Sequence, residues 1–254
     1  MGKRQCLFCT NPAKTREHLW PVWILERRIR ISPFNLRRRN RDSRQFDGDV
    51  VARCVCKQCN EGWMSEQESA ISPLLGSLMQ DVSLTLNKNQ QHELTIWSVK
   101  MAMVWEATRA ASGPKYHTQD IRTNYRINSM IPSATIIWLG RCNDSGLHTT
   151  IGDIQFNIRG TKNVSIVRDT CEGYAITLLI GHLVIQVVSI TVPDEDQMFC
   201  EILLPSDLVG WDDHLVSIYP YRVNVTWPPQ ESLTYNVGAF SVLGLRDRWN
   251  PAIR

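Results

Sequence analysis

The sequence lacks the features that mark several classes of protein. It has no internal repeat and no low-complexity tract, and its first residues contain no apolar stretch typical of a secretory signal. Charged residues make up 21% of the chain and hydrophobic residues 43%, a balance that excludes wholesale disorder. We therefore expect a folded cytoplasmic protein in a reducing compartment, where clustered cysteines bind metal more often than they form disulfides.

The chain also lacks an uninterrupted hydrophobic run of the length that a membrane helix needs. Its most apolar stretch, residues 175–192, is broken by Gly181-His182 and by Gln186, and it is rich in Ile, Val and Thr. This composition predicts two buried strands joined by a turn at Gly181. We expect no membrane partner.

The net charge of the whole chain is small, but one part of the chain is strongly basic. The net charge is +3, yet residues 1–60 carry 14 Lys and Arg against 5 Asp and Glu, a local charge of +9, and residues 61–254 carry −6. Such asymmetry indicates a basic module that meets a polyanion.

Between His18 and Cys56 the sequence has nine arginines and no lysine. The guanidinium group matches phosphate oxygens in pairs, so this segment is predicted to contact nucleic acid, double-stranded DNA in the first instance. The predicted contacts are Arg27, Arg28, Arg30, Arg37, Arg38, Arg39, Arg41 and Arg44, and the ninth arginine of the segment is Arg53.

Two Cys-x-x-Cys pairs are present, Cys6 with Cys9 and Cys56 with Cys59. Zinc prefers four such ligands in a tetrahedron, and each pair places two sulfurs on one side of the ion. Cys54 is too close to Cys56 to share its turn, so it is predicted to be a spare thiol. A metal-free cluster of reduced cysteines is the alternative to a structural Zn²⁺ site.

An acidic residue and a histidine follow the first cysteine pair, and an asparagine directly follows the second. The stretches EHLWPVW and CKQCNEGWMSE lie at these two places. This order resembles the zinc-stapled HNH endonucleases of the ββα-metal class over about the first 80 residues, and the rest of the chain resembles no family of named activity. The matching positions are Cys6, Cys9, Glu17, His18, Cys56, Cys59 and Asn60.

The resemblance implies a fold and an activity. Residues 1–80 would form a zinc-bound ββα-metal (treble-clef-like) module, followed in residues 81–254 by an α+β domain with a mostly antiparallel sheet. His18 would act as general base in the hydrolysis of DNA phosphodiester bonds. Glu17 and Asn60 would hold one Mg²⁺ or another divalent cation. Capping of the following helix is the alternative role for Asn60.

The sequence departs from the family in one respect, because no asparagine lies shortly before the second cysteine pair. Asp47, Asp49 or Asn40 are candidates to replace it. A non-catalytic zinc finger that binds nucleic acid or a partner protein is therefore the alternative function. The second domain is predicted to be a sensor or docking domain, for a partner protein or a second copy of the chain, and two copies would be needed to cut both DNA strands.

The local patterns give further expectations. Helices are predicted at residues 22–29, 62–71, 73–80 and 94–111, a loop at 37–44 and a linker at 87–92. Trp63 is predicted to pack under the zinc site, and Asp212-Asp213-His214 is predicted to form a turn. Strands are predicted at residues 49–55, 135–139, 151–158, 164–167, 175–180, 183–192, 199–204 and 216–219.

Overall fold

A computed structural model describes the residues 4–26, 30–31, 34–36, 44–46, 51–108, 116–132, 135–143, 148–158, 171–191 and 214–233. The helices are α1 (Val22–Glu26), α2 (Lys57–Cys59), α3 (Ser65–Met79), α4 (Lys88–Thr108) and α5 (Gln119–Asn128), with a π-helical turn at Asn60–Met64. The strands are β1 (Thr15–His18), β2 (Arg30–Ile31), β3 (Phe34–Leu36), β4 (Arg44–Phe46), β5 (Val51–Val55), β6 (Leu84–Asn87), β7 (Thr135–Cys142), β8 (His148–Ile158), β9 (Cys171–Ile180), β10 (Leu183–Thr191), β11 (Leu215–Tyr219), β12 (Asn224–Trp227) and β13 (Ser232–Leu233).

The largest sheet runs in the order β11-β7-β10-β9-β8-β2, and β13 also pairs with β7. All its long pairs are antiparallel, and only the two-residue contacts of β2 and β13 are parallel. The prediction of mixed helix and mostly antiparallel sheet is thus confirmed at this level. The predicted strands at residues 164–167 and 199–204 lie outside the described part of the chain.

The apolar stretch at residues 175–192 forms β9 and β10, which are joined at Gly181 with a φ of 60°. Its residues are apolar on both faces because both faces of the sheet are buried: Ile185 and Val187 join the main core, and Val184 and Val188 a second cluster. The prediction of two strands is confirmed. Within the described residues, no helix combines the length and apolarity required to cross a bilayer.

Helix α3 continues through Pro73, so the prediction of separate helices at residues 62–71 and 73–80 was wrong. Proline removes one backbone hydrogen bond, to the carbonyl four residues earlier. Here that carbonyl belongs to Ser69, and both residues are exposed, so water can reach the unpaired group. The buried side chains of Ile71 and Leu75 hold the helix against the core.

The predicted linker at residues 87–92 was also wrong, because Asn87 ends β6 and Lys88 begins α4. The Asn87 side chain accepts a hydrogen bond from the Gln90 backbone N–H at 3.0 Å, and the Gln90 side chain accepts one from the Asn87 N–H at 3.0 Å. This reciprocal pair is a capping box that starts the helix. The polar run therefore caps α4.

The predicted arginine loop is corrected at one end. Arg44 belongs to β4, whose antiparallel pairing with β3 places it opposite Leu36. Of the other predicted nucleic-acid contacts, Arg30 lies in β2. The structure describes only the backbone of Arg30 and Arg44. Six further arginines and the residues proposed to replace the missing asparagine lie outside the described residues: Arg27, Arg28, Arg37, Arg38, Arg39, Arg41, Asn40, Asp47 and Asp49.

Helix α4 lies in the centre of the molecule. Its fully buried Lys100 forms an ion pair with Glu68 of α3, and the main apolar cluster contains residues from both sides of position 80, from Cys6 to Trp227. The division of the chain at residue 80 stays a prediction.

A buried polar network joins α4 to the sheet. Glu106 contacts His117 Nδ1 at 2.7 Å and the Arg122 guanidinium at 2.8 Å, and His117 Nε2 contacts the Tyr174 hydroxyl at 2.7 Å. Burial alone would raise the pKa of Glu106, but the hydrogen bond from His117 and the charges of His117 and Arg122 outweigh it and lower this pKa. The network is stable with an ionised carboxylate.

We expect Glu106→Gln to destabilise the chain by about 3 kcal/mol at pH 7, because it leaves buried partners uncompensated. Since the pKa of Glu106 is depressed from its ordinary value of 4.5 by folding, its contribution is complete above that pH and is lost as the pH falls through the folded value. The stability difference between wild type and variant, measured by urea unfolding, should therefore narrow below pH 4.5. A difference that stays constant from pH 7 to pH 3 would contradict this assignment.

Candidate metal centre

Four sulfurs converge on one point. The Sγ atoms of Cys6, Cys9, Cys56 and Cys59 all lie within 4.8 Å of one another. Cys9 is 3.6 Å from Cys56 and 3.7 Å from Cys59, sulfur to sulfur. A tetrahedral zinc with bonds of about 2.3 Å would separate its sulfur ligands by about 3.8 Å. The four-cysteine cluster thus has the size and donor set to hold a metal ion such as zinc, as the sequence predicted.

The two cysteine pairs are held in place by backbone hydrogen bonds. In the first knuckle (residues 5–12), the Cys6 N–H donates to the Asn11 carbonyl at 2.7 Å, and the Leu7 N–H donates to the Cys54 carbonyl at 2.7 Å. In the second, Cys56 caps α2, because its sulfur accepts the Cys59 N–H at 3.4 Å. The cluster therefore does not depend on flexible loops for its shape.

Polar groups around the cluster favour negative sulfur. The Cys56 N–H donates to the Cys6 sulfur at 3.3 Å, and the Asn11 side-chain amide approaches the Cys56 sulfur at 3.9 Å. Burial opposes ionisation of Cys56, but hydrogen bonds from the Cys59 N–H and the neighbouring cysteines lower its pKa to about 7. Burial raises the pKa of Cys6 and Cys59. Metal binding must therefore release protons, and affinity should fall at acidic pH.

Cys54 is the spare thiol that the sequence predicted. It is buried but lies outside the four-sulfur group, and burial, followed by the charge of Glu17, raises its pKa to about 12. A bulge explains its position, because Thr15 pairs with Val55 and Glu17 pairs with Ala52, which leaves two β5 residues opposite Arg16.

An aromatic cluster supports the first knuckle. The Phe8 ring meets Trp63 edge-on with centroids 5.0 Å apart, and Tyr125 of α5 lies 6.1 Å from Phe8 and 6.0 Å from Trp63. The predicted position of Trp63 is thus confirmed. The Gln119 side chain also donates to the Leu7 carbonyl at 3.3 Å.

Helix α5 and its contacts with the first knuckle are not predicted from the sequence. Thr118 caps this helix by accepting the Ile121 N–H at 3.3 Å, and Asp120 lies in its first turn. An N-cap threonine followed by an acidic residue was the available signal.

The three predicted catalytic residues lie on elements that adjoin the cysteine cluster, with His18 paired to Val51 at the end of β5 away from Cys56. Glu17 and His18 are consecutive in β1, which pairs with the strand that leads into Cys56. Glu17 is buried, with 6% of its surface exposed, whereas His18 is half-buried. Consecutive strand residues point to opposite faces, so their side chains diverge. Both interact with other groups of the protein.

Asn60 does not cap the helix that follows it. Its backbone is helical, and its side-chain Nδ2 donates to the Arg16 carbonyl in β1 at 3.2 Å. The bond joins the second cysteine pair to the strand that carries His18. It leaves Oδ1 as the side-chain atom that can accept a hydrogen bond or a cation.

Two other histidines noted in the sequence have local roles. His182 lies in the β9–β10 turn, where its Nδ1 is 2.7 Å from the Cys142 carbonyl. His214 lies in a turn before β11, as predicted, while Asp212 and Asp213 lie outside the described residues.

Comparison with known proteins gives no match of the chain to any protein-family model, curated protein or solved structure. Interpretation of the site therefore depends on its own geometry.

We expect the purified chain to hold one tightly bound zinc, and Cys9→Ser to raise the zinc dissociation constant by more than about 100-fold, since even changes next to a ligand weaken binding 10–100-fold. Zinc content can be measured by mass spectrometry, with competition against a chelating dye for affinity. The matched control is Cys54→Ala, which removes a buried thiol outside the cluster and should retain the metal. Equal zinc loss in both variants would contradict the assignment.

Proposed function

We propose that the chain is a metal-dependent HNH-type endonuclease that hydrolyses DNA phosphodiester bonds. The observation that carries the proposal is the hydrogen bond of 3.2 Å between the Asn60 side chain and the Arg16 carbonyl. It ties the residue after the second cysteine pair to the strand that continues into Glu17 and His18. The bond joins two residues that are 44 positions apart in the chain.

The order of elements supports the same proposal. An antiparallel pair, β1 with β5, is followed by the short α2 and then by α3, and the four-cysteine cluster joins them. With α1, β2, β3 and β4 lying between β1 and β5 in the chain, this order is compatible with the ββα-metal arrangement proposed here. In it, a structural metal fixes the scaffold and takes no part in the reaction.

His18 is the candidate general base. It is half-buried at the end of β1, so water can reach it. A neutral imidazole there can accept a proton from a water molecule that attacks the phosphorus. The bond between Asn60 and Arg16 braces this strand two residues before His18, which is the task that the missing family asparagine would otherwise perform.

Glu17 and Asn60 are the candidate ligands of the catalytic cation. When bound, Mg²⁺ or a similar ion would neutralise charge on the phosphate and on the departing 3′ oxygen. Asn60 Oδ1 fits this task, because its amide nitrogen is already used and the side chain is half-exposed. Glu17 offers the right oxygen chemistry, but its burial restricts it to an ion on the inner face of β1.

The basic segment supplies the proposed hold on DNA. Residues 1–60 carry a local charge of +9, and eight arginines lie within residues 27–44. Such contacts bind phosphates without selecting a base sequence. One cation per chain cuts one strand, so two copies of the chain would be needed for a double-strand break.

A non-catalytic zinc module that binds nucleic acid is the second candidate. It is favoured by the burial of Glu17, which already interacts with other groups of the protein and whose charge acts on the Cys54 thiol. A carboxylate committed to the interior is a poor ligand for a hydrated cation.

Nicking of supercoiled plasmid in the presence of Mg²⁺ tests the first candidate. We expect His18→Ala to slow nicking by at least about 100-fold, because a general base contributes 10²–10⁴-fold. The matched control is His92→Ala: this histidine is also half-buried, but it contacts Tyr221 at 2.7 Å, outside the site, and should not alter the rate. Zinc content should be equal in all three proteins.

Equal cleavage by wild type and His18→Ala would rule out the proposed base. Absence of cleavage, together with salt-sensitive DNA binding that survives both Glu17→Gln and His18→Ala, would favour the second candidate.

A further inference from the structure

A basic cleft lies beside the first knuckle. It has a volume of about 510 Å³ and is lined by Arg4, Pro12, Ala13, Lys14 and Arg53. Three of these residues are cations, and among the described lining residues none is acidic. Arg4, Lys14 and Arg53 are exposed. The cleft thus has three cationic residues in its lining, all accessible to solvent.

The backbone segments that carry the three cations are bonded to one another. The Ala13 N–H donates to the Arg4 carbonyl at 2.8 Å, and the Lys14 N–H donates to the Val55 carbonyl at 3.1 Å. Val55 ends the strand that contains Arg53. The cations are thus positioned by the same paired segments that carry the metal-binding cysteines. Little backbone order has to be gained when a ligand binds.

The charges of the lining residues favour an anionic ligand. Three like charges around one cleft repel one another, and an anionic ligand relieves that repulsion. Arginine binds phosphate oxygens in pairs through its planar guanidinium group, and lysine adds a point charge. A polynucleotide backbone offers successive phosphates to such a set.

We propose that this cleft, formed by Arg4, Lys14 and Arg53, binds the phosphate backbone of a polynucleotide. The inference rests on the proposed function for its choice of ligand, and it adds a binding site that includes Arg4 and Lys14, outside the arginine-dense segment. The contacts are to phosphates, so they position the nucleic acid and do not read its bases.

The salt dependence of DNA binding tests the proposal directly. Affinity of the full chain for a fluorescent 30-base-pair duplex is measured by anisotropy at several salt concentrations, for wild type and for Arg4→Gln/Lys14→Gln/Arg53→Gln, both in a His18→Ala background to prevent cleavage. Each lost phosphate contact reduces the slope of log K against log salt by about 0.9, so three contacts reduce it by about 2.7. The dissociation constant at low salt should rise by at least about 10-fold.

A matched variant separates the cleft from net charge. Lys88→Gln/Arg126→Gln/Arg222→Gln removes three charges from other elements, namely α4, α5 and the segment before β12. It should keep a slope close to that of wild type. Zinc content and thermal unfolding are compared in all proteins. If the triple cleft variant loses zinc, the three single substitutions replace it, each with an expected slope change of about 0.9.

Several results would overturn the proposal. These are an unchanged slope in the cleft variant, an equal change in the matched variant, an absence of DNA binding by wild type, or an equal loss of binding to polyglutamate, which would indicate an acidic protein as ligand. The nuclease proposal fails separately: a wild type that binds DNA through the cleft without nicking it leaves this inference standing. If wild type nicks DNA and the cleft variant binds DNA as wild type does, the nuclease proposal stands and the cleft inference fails.

Discussion

The convergence of four sulfurs is the constraint on which the N-terminal part of the molecule depends. Cys9 and Cys56 are 47 positions apart, and the segment between them carries 11 of the 14 Lys and Arg of residues 1–60. A metal bound at this point would close that long loop and tie its two ends together. β1 is then held against β5, and Asn60 reaches the Arg16 carbonyl. Without this closure, a strand of four residues would have little to hold it in place.

The knuckle is joined to the rest of the chain by specific contacts. Phe8 and Trp63 pack on Tyr125, whose hydroxyl donates to the Ile96 carbonyl of α4 at 2.7 Å. Further along α4, Glu106 is hydrogen-bonded to His117, which in turn contacts Tyr174 of the sheet. A buried polar group without a partner costs free energy, so an arrangement of these elements that breaks one of the hydrogen bonds is disfavoured. These contacts fix the position of the cysteine cluster relative to helix α4.

The structure also separates two kinds of chemistry around the cysteine cluster. Sulfurs and aromatic rings point inward, where burial and backbone N–H groups favour metal coordination. Arg4, Lys14 and Arg53 point outward from the same backbone. Within β5, side-chain alternation and the bulge contribute to this division, because Arg53 is exposed and Cys54 is buried.

Spacing alone determined several features of this protein. The clustering of four cysteines, the spare Cys54 and the turn at Gly181 follow from rules that act over a few residues. Tertiary structure decided the burial of Glu17, the bond from Asn60 to Arg16 and the uninterrupted course of α3 through Pro73. Each of these features depends either on contacts between residues distant in sequence or on which face of a helix or strand is exposed to solvent. Such information is absent from local patterns, since the partner of Asn60 lies 44 positions away.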